Sequence, residues 1–285
     1  MDEFPRTPVG GVSLSRMLIG TNWFLGWSHW SAAKDDYIKE VVRKRKTIAD
    51  IIEVFLRAGV DTLMGMVNCP PLGEAIKDAE DRVGRKVIVV ATPAFAVTPR
   101  TPVDGFDMDE AERILDDAAK LGTTVCMPHQ ATTDCMADRC TRTLRKMDVL
   151  CAKIRERGMI PGLSTHMPET IIYADESGLD VETYIAMYNS MGFLMQLEVD
   201  WVARIIQGAR KPVMTIKPMA AGQLRPFQAL NFVWNTLRDR DMVAVGTMSP
   251  KEAAELIELS MGILERRPSS LELQETRSKA PVKGH

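Results

Sequence analysis

Three of the four histidines of this chain fall where an α/β protein places its chemistry. His129 follows the apolar run 124–127, His166 follows 159–163, and His29 lies in the connection after the first apolar run; the fourth, His285, is terminal. Lys217 likewise follows Val213–Ile216, and Cys69 follows 62–67. Three chemistries fit this set. His129 and His166 are candidate ligands of a divalent metal, with Cys69, Asn68 or His29 completing the site, although the spacing matches no ligand motif and no acidic residue ends a strand. Cys69 with His129 is a candidate thiolate pair, set against the plainer reading of a semi-buried thiol. His129, His166 and Lys217 are candidate acid/base groups on a carbonyl substrate, stabilising an enolate or protonating an oxygen. The third is the reading adopted, with His129 as the first candidate, against the alternative that a histidine beside a strand is a hydrogen-bonded structural residue.

These side chains need strands to carry them. In MIPGLSTHMPE, residues 159–169, an apolar run stops on Ser164, Thr165 and His166, and Pro168 and Glu169 then suit the first turn of a helix. Seven other segments repeat that grammar, at 16–20, 62–67, 86–91, 124–127, 181–187, 213–216 and 242–245. Helical spacing places helices between them at 48–59, 72–84, 109–121, 141–158, 192–208, 226–237 and 251–265, with one more beginning at Pro168. Eight alternating units without a composition break predict a (β/α)8 TIM barrel over residues 1–265, in which residues 1–16 lie across one end. Residues 266–285 are expected to be a C-terminal tail, with SSLELQET as a short docking helix and KAPVKGH disordered.

The site of such a barrel lies where the strand C-termini meet. Those ends offer Asn22, Cys69, Thr92, His129, His166, Asn189, Lys217 and Thr247. Asn68 and Tyr188 beside them join the substrate-binding candidates. The long connection after the first strand carries Trp23, Trp27, His29 and Trp30, and long connections commonly serve as lids. Its aromatics can stack on a sugar ring or a planar ligand, or can be covered by a partner subunit in a homo-oligomer.

Composition narrows the partners. The 285 residues are 45% hydrophobic and 26% charged, with a net charge of −2, which gives no electrostatic argument for nucleic acid or an anionic membrane. No apolar run has the length of a membrane helix, and the first residues, MDEFPRTPVGG, lack a signal-peptide core. Five cysteines in no disulfide-framework spacing are expected to be free thiols of a cytoplasmic protein.

Over residues 12–264 the order of segments resembles the aldo-keto reductase superfamily. The matching pieces are VSLSRMLIGTNWF, FLRAGVD, LGEAIK, ERGMIPGLSTHMPETI, AMYN, VMTIKPMAAGQL and VAVGTMSPKEAAELIE. The resemblance implies a barrel that binds NAD(P)H on its rim and reduces carbonyls with a catalytic Asp, Tyr, Lys and His. Carried over by position, the His is His129, whereas the Asp falls on Met64, the Tyr near Cys69 and the Lys on Pro93. The cofactor region it implies includes Gly222, Gly246, Ser249 and Lys251, and the asparagine usual in the last helix is replaced by Leu256.

Together these readings predict a barrel enzyme acting on a small polar carbonyl or carbohydrate-like metabolite by acid/base chemistry, of isomerase, lyase or hydrolase type. The alternatives are an NAD(P)H-dependent oxidoreductase with a relocated proton donor, a metal-dependent enzyme using His129 and His166, and a non-catalytic ligand-binding barrel.

Overall fold

The computed structural model describes residues 3–98, 100–102 and 105–271. Its centre is a ring of parallel strands. After a hairpin of β1 (Arg6–Val9) and β2 (Val12–Ser15), the ring runs through β3 (Met17–Gly20), β4 (Thr62–Gly65), β5 (Ile88–Ala91) and β6 (Thr123–Cys126). A second small hairpin, β7 (Ala137–Asp138) and β8 (Thr143–Leu144), lies outside the ring. The ring continues with β9 (Ile160–Pro161), β10 (Leu163–Ser164), β11 (Tyr184–Met187), β12 (Val213–Ile216) and β13 (Met242–Val245), and β13 pairs back onto β3.

The fifth barrel strand is split at Gly162. Its first half, β9, pairs with β6, and its second half, β10, pairs with β11, so this one strand joins both arcs of the ring. A Cβ at Gly162 would sit 2.9 Å from Met127 and 3.0 Å from Thr183 side-chain atoms, so a larger residue would have to push these two side chains aside where the strands meet. Eight strands in this order make the (β/α)8 TIM barrel that the alternation of segments predicts.

Strand alternation sorts the core. Leu18, Met64, Val90, Val125, Ile160, Ile185, Met214, Met242 and Ala244 fill the barrel interior, while their strand neighbours Ile19, Leu63, Cys126, Tyr184, Ala186, Val213, Val243 and Val245 face the helices. Val9 and Leu14 of the β1–β2 hairpin join the interior set and plug the lower end, as the reading of residues 1–16 anticipates. Below the strands, the fully buried Asp241 carboxylate accepts from the Arg238 side chain at 2.7 and 2.8 Å, and from the backbone N–H groups of Val213 and Arg238 at 2.9 and 3.0 Å.

The helices differ from expectation at four points, one of them a short helix at 130–136 that the spacing does not show. The long connection after β3 is not one loop: it holds α1 (Asn22–Leu25) and α2 (Ala32–Val41). The next long helix, α3 (Arg45–Arg57), is followed by α4 (Leu72–Val83), α5 (Met108–Lys120) and α6 (Gln130–Met136). The helix expected from 141 begins later, as α7 (Met147–Glu156), because 137–144 forms the small hairpin. After α8 (Glu169–Ser177), the helix expected over 192–208 is only α9 (Val199–Gly208), since the Asn189 side chain ties down the preceding segment by bonding both backbone groups of Phe193. The last two are α10 (Pro226–Thr236) and α11 (Pro250–Leu264). Most of the tail, 272–285, lies outside the described residues, and with it most of SSLELQET and all of KAPVKGH. No helix among the described residues is long and apolar enough to cross a membrane.

Candidate active site

A cavity of about 350 Å³ opens at the C-terminal end of the ring. Its floor is the top of the barrel core, including Met64, Ile185, Ile216 and Ala244. Its walls are the first residues beyond the strands: Thr92 after β5, His129 after β6, Ser164 and His166 at the fifth strand, and Lys217 after β12. Asn22, Trp23, Trp27, Ser28 and His29 close the remaining side. The volume matches a small metabolite.

Three imidazoles and one ammonium therefore share one space, and among the described residues no carboxylate lines it. Burial pushes the Lys217 ammonium down to about 8. His166 is pushed down to about 4 by burial, then by the charges of Lys217, His129 and His29. His129 is lowered by burial and by Lys217. His29, at the exposed lip, is lowered by partial desolvation and Lys217, with Asp35 opposing. At neutral pH the cavity thus presents neutral imidazoles around a cation, an arrangement suited to a ligand carrying negative charge.

Local structure fixes each group. His129 caps α6, its Nδ1 accepting the Ala131 N–H at 3.2 Å, so in the neutral ring the proton sits on Nε2 and is the one available to a ligand. His166 is held through its backbone: the Asp134 carboxylate of α6 accepts its N–H at 3.1 Å and the Thr165 hydroxyl at 2.6 Å. Lys217 and His29 both have φ +59°, a left-handed backbone that costs a non-glycine residue energy and collects at functional sites. The aromatic segment is tied to α2 because the Ser28 N–H and hydroxyl both donate to Asp35 at 2.6 Å.

The sequence-derived candidates divide here. Asn22, Trp23, Trp27, His29, His129, His166, Lys217 and Gly246 line the cavity. Cys69 and Asn68 do not: the chain after Met66 turns outward, placing Asn68 on a separate shallow pocket and Cys69 beside the Arg43 guanidinium at 3.5 Å. No Cys69–His129 pair therefore forms in the cavity. Tyr188 is buried, with its hydroxyl donating to Thr236 at 3.0 Å and its ring on Phe232, and Asn189 braces a loop; both are structural. Trp30 is 60% exposed outside the cavity lining, its ring beside Gly222. The rim inventory also missed Thr21, whose buried hydroxyl has no hydrogen-bond partner among the described residues, and Ser164 and Gln130. An orphan hydroxyl shows only once neighbours are placed.

Neither implied cofactor is well matched. Among the described residues, no three His, Cys, Asp or Glu side chains converge as a metal site. For a nicotinamide dinucleotide, the resemblance puts phosphate at the start of α11. There the Ser249 hydroxyl accepts the Glu252 N–H at 3.2 Å, and the Glu252 carboxylate accepts the Met248 N–H at 2.7 Å. This reciprocal cap uses the helix end on the chain itself and puts a negative group where a phosphate belongs. Lys251 remains exposed and outside the cavity. No tyrosine lines the cavity either, Met64 forms part of the floor in place of the carried-over aspartate, and Pro93 stands at the carried-over lysine.

The fold and site define a barrel with an imidazole-lined, cationic mouth. No family model matches the chain, and no curated protein sequence matches it. Solved structures do match in fold. An aldo-keto reductase candidate from Pseudomonas aeruginosa is 16% identical with a TM-score of 0.64, covering 91% of this chain and 95% of its own. An aldo-keto reductase from a Medee basin deep-sea metagenome library is 11% identical with a TM-score of 0.59, over 95% and 97%. A truncated 3-deoxy-D-arabino-heptulosonate 7-phosphate synthase from Thermotoga maritima is 13% identical with a TM-score of 0.53, over 93% of each chain. The barrel is thus aldo-keto-reductase-like in fold and divergent in sequence, and that likeness carries the architecture alone.

Proposed function

We propose that this barrel is an enzyme for a small carbonyl or carbohydrate-like metabolite bearing a carboxylate or phosphate, worked on by acid/base chemistry without hydride transfer. The observation that carries this reading is the cavity lining: His129, His166 and Lys217 converge in it with no carboxylate among them. The Lys217 ammonium draws the anionic substrate into the mouth, and the desolvated cavity strengthens that attraction. His129 offers its Nε2–H to the substrate carbonyl oxygen, while His166, neutral and with no ring hydrogen bond among the described residues, accepts a proton from the adjacent carbon. Isomerisation and elimination both begin with that proton transfer. The Trp23 and Trp27 rings cover the substrate from the solvent side.

The test is solvent exchange. Wild-type protein incubated in D2O with a panel of small 2-keto acids and phosphorylated trioses and pentoses should exchange the α-proton of at least one, read by NMR without added nicotinamide. His166→Ala should abolish the exchange and His129→Ala should slow it by about 100-fold or more. Undiminished exchange in both variants would overturn the reading.

A further inference from the structure

Lys217 lines the cavity, whereas Lys44, Lys77 and Lys251, which also pair with no carboxylate among the described residues, are exposed. Lys39, Lys46, Lys86, Lys120, Lys153 and Lys211 all pair with carboxylates. The Lys217 ammonium makes no hydrogen bond or ion pair among the described residues, and it stands on the wall of the cavity. Its backbone is held in the left-handed region, which fixes how the side chain leaves the strand end. Burying an amine without a counter-ion is unfavourable, and an enzyme gains from it when the neutral amine is the reactive form.

We infer that Lys217 is a nucleophile that captures the substrate carbonyl as a Schiff base, with His129 and His166 moving the protons. The inference rests on the reading of the cavity as a carbonyl site. In the addition, the Nζ lone pair forms a C–N bond, the carbonyl π pair moves to oxygen, and that oxygen, held by the His129 Nε2–H hydrogen bond, takes a proton from solvent water. The nitrogen of the resulting carbinolamine passes a proton to a neutral imidazole. The C–O bond then breaks as its oxygen takes a second proton and leaves as water. Amine, carbonyl and one proton thus become a protonated imine and water, with no oxidant or reductant. The cationic imine withdraws electrons from the adjacent carbon, which is the carbon that His166 deprotonates. Capture by Lys217 therefore supplies the electron sink that neutral imidazoles with lowered basicity need. The depressed Lys217 ammonium supports this, since a useful fraction is neutral near pH 8.

The experiment is reductive trapping on the full chain. Protein is incubated with pyruvate or with dihydroxyacetone phosphate in the presence of cyanoborohydride, and the modified peptides are mapped by mass spectrometry. The expected result is one adduct per chain, on Lys217, with a yield that climbs as pH approaches 8. The adduct should be absent from Lys217→Arg and Lys217→Met, both checked for an intact fold by thermal melting. No adduct with either probe, or adducts on exposed Lys44 and Lys77 without an excess on Lys217, would overturn the inference. The two readings fail separately. Failed trapping with α-proton exchange still lost in His166→Ala removes the imine and leaves the acid/base site. Trapping on Lys217 with exchange unaffected by either histidine variant does the reverse.

Discussion

The Asp134 carboxylate of α6 accepts the backbone N–H of His166 at 3.1 Å, across the gap between the fourth and fifth barrel units. It also accepts the Thr165 hydroxyl at 2.6 Å, so one half-buried acid sets the exit of the fifth strand, where His166 enters the cavity. Burial, and to a lesser degree the Glu169 charge, raise the Asp134 pKa, while the bonds from Thr165, His166 and Met167 oppose that rise. Asp134→Ala leaves two donors without their acceptor and should cost about 2–3 kcal/mol in urea unfolding. It should also lower kcat/KM by about 10- to 100-fold as the imidazole drifts. Asp134→Asn, which keeps an acceptor oxygen, should recover most of both; equal loss in the two variants would refute a positioning role.

Gly65 ends β4 at φ +140°, and a Cβ there would come within 2.0 Å of the Thr21 hydroxyl oxygen. Strain and overlap act together, so Gly65→Ala should destabilise the protein by more than about 3 kcal/mol. Adding Thr21→Ala removes the nearest clashing atom and should return part of that loss, measurable as a coupling in a double-mutant cycle. Thr21→Ala alone should be within about 0.5 kcal/mol of wild type, because the lost hydroxyl has no partner to abandon.

Stability should respond to pH through His166 and Lys217 in different windows. The folded pKa of His166 is about 4, below the ordinary 6.5, so its contribution is present above pH 6.5 and is lost as pH falls through about 4. Its full size is up to about 3 kcal/mol, and a His166→Phe chain should lack that slope. Lys217 sits at about 8 against 10.5, so the folded state binds its proton less well and is penalised below pH 8. That penalty disappears as pH climbs to 10.5. Lys217→Met should accordingly be more stable than wild type near pH 7, by up to about 3 kcal/mol, with the difference vanishing near pH 10.5. Denaturant midpoints across pH read both effects.

At the opposite end of the barrel, the Arg238–Asp241 pair tests fold stability apart from the site. Asp241 accepts four hydrogen bonds with no solvent exposure, so Asp241→Ala strands the Arg238 guanidinium and two backbone donors. A loss of about 3–5 kcal/mol is expected in chemical denaturation. Where the variant stays folded, its kcat/KM should be unchanged, because no residue of this network lines the cavity.

The chain by itself determined the barrel and much of the mouth. A buried parallel strand must be apolar along its length and can turn polar only where it leaves the ring, so short runs ending on His129, His166 and Lys217 disclose both the strand and its functional end. Spacing along one chain does not say which way an end turns. Cys69 and Asn189 end strands in the same manner, yet one chain turns away after Met66 and the other side chain bonds Phe193, and neither fact exists until the loops are packed. The late starts of α7 and α9 have the same origin, since competing local bonds there outweigh helical periodicity. Tertiary structure alone decided that Asp134 stands behind His166 and that, among the described residues, Thr21 keeps an unpaired hydroxyl and Lys217 has no counter-ion. Each is a relation between groups far apart in sequence, and burial, which sets the charge on a side chain, belongs to the folded whole.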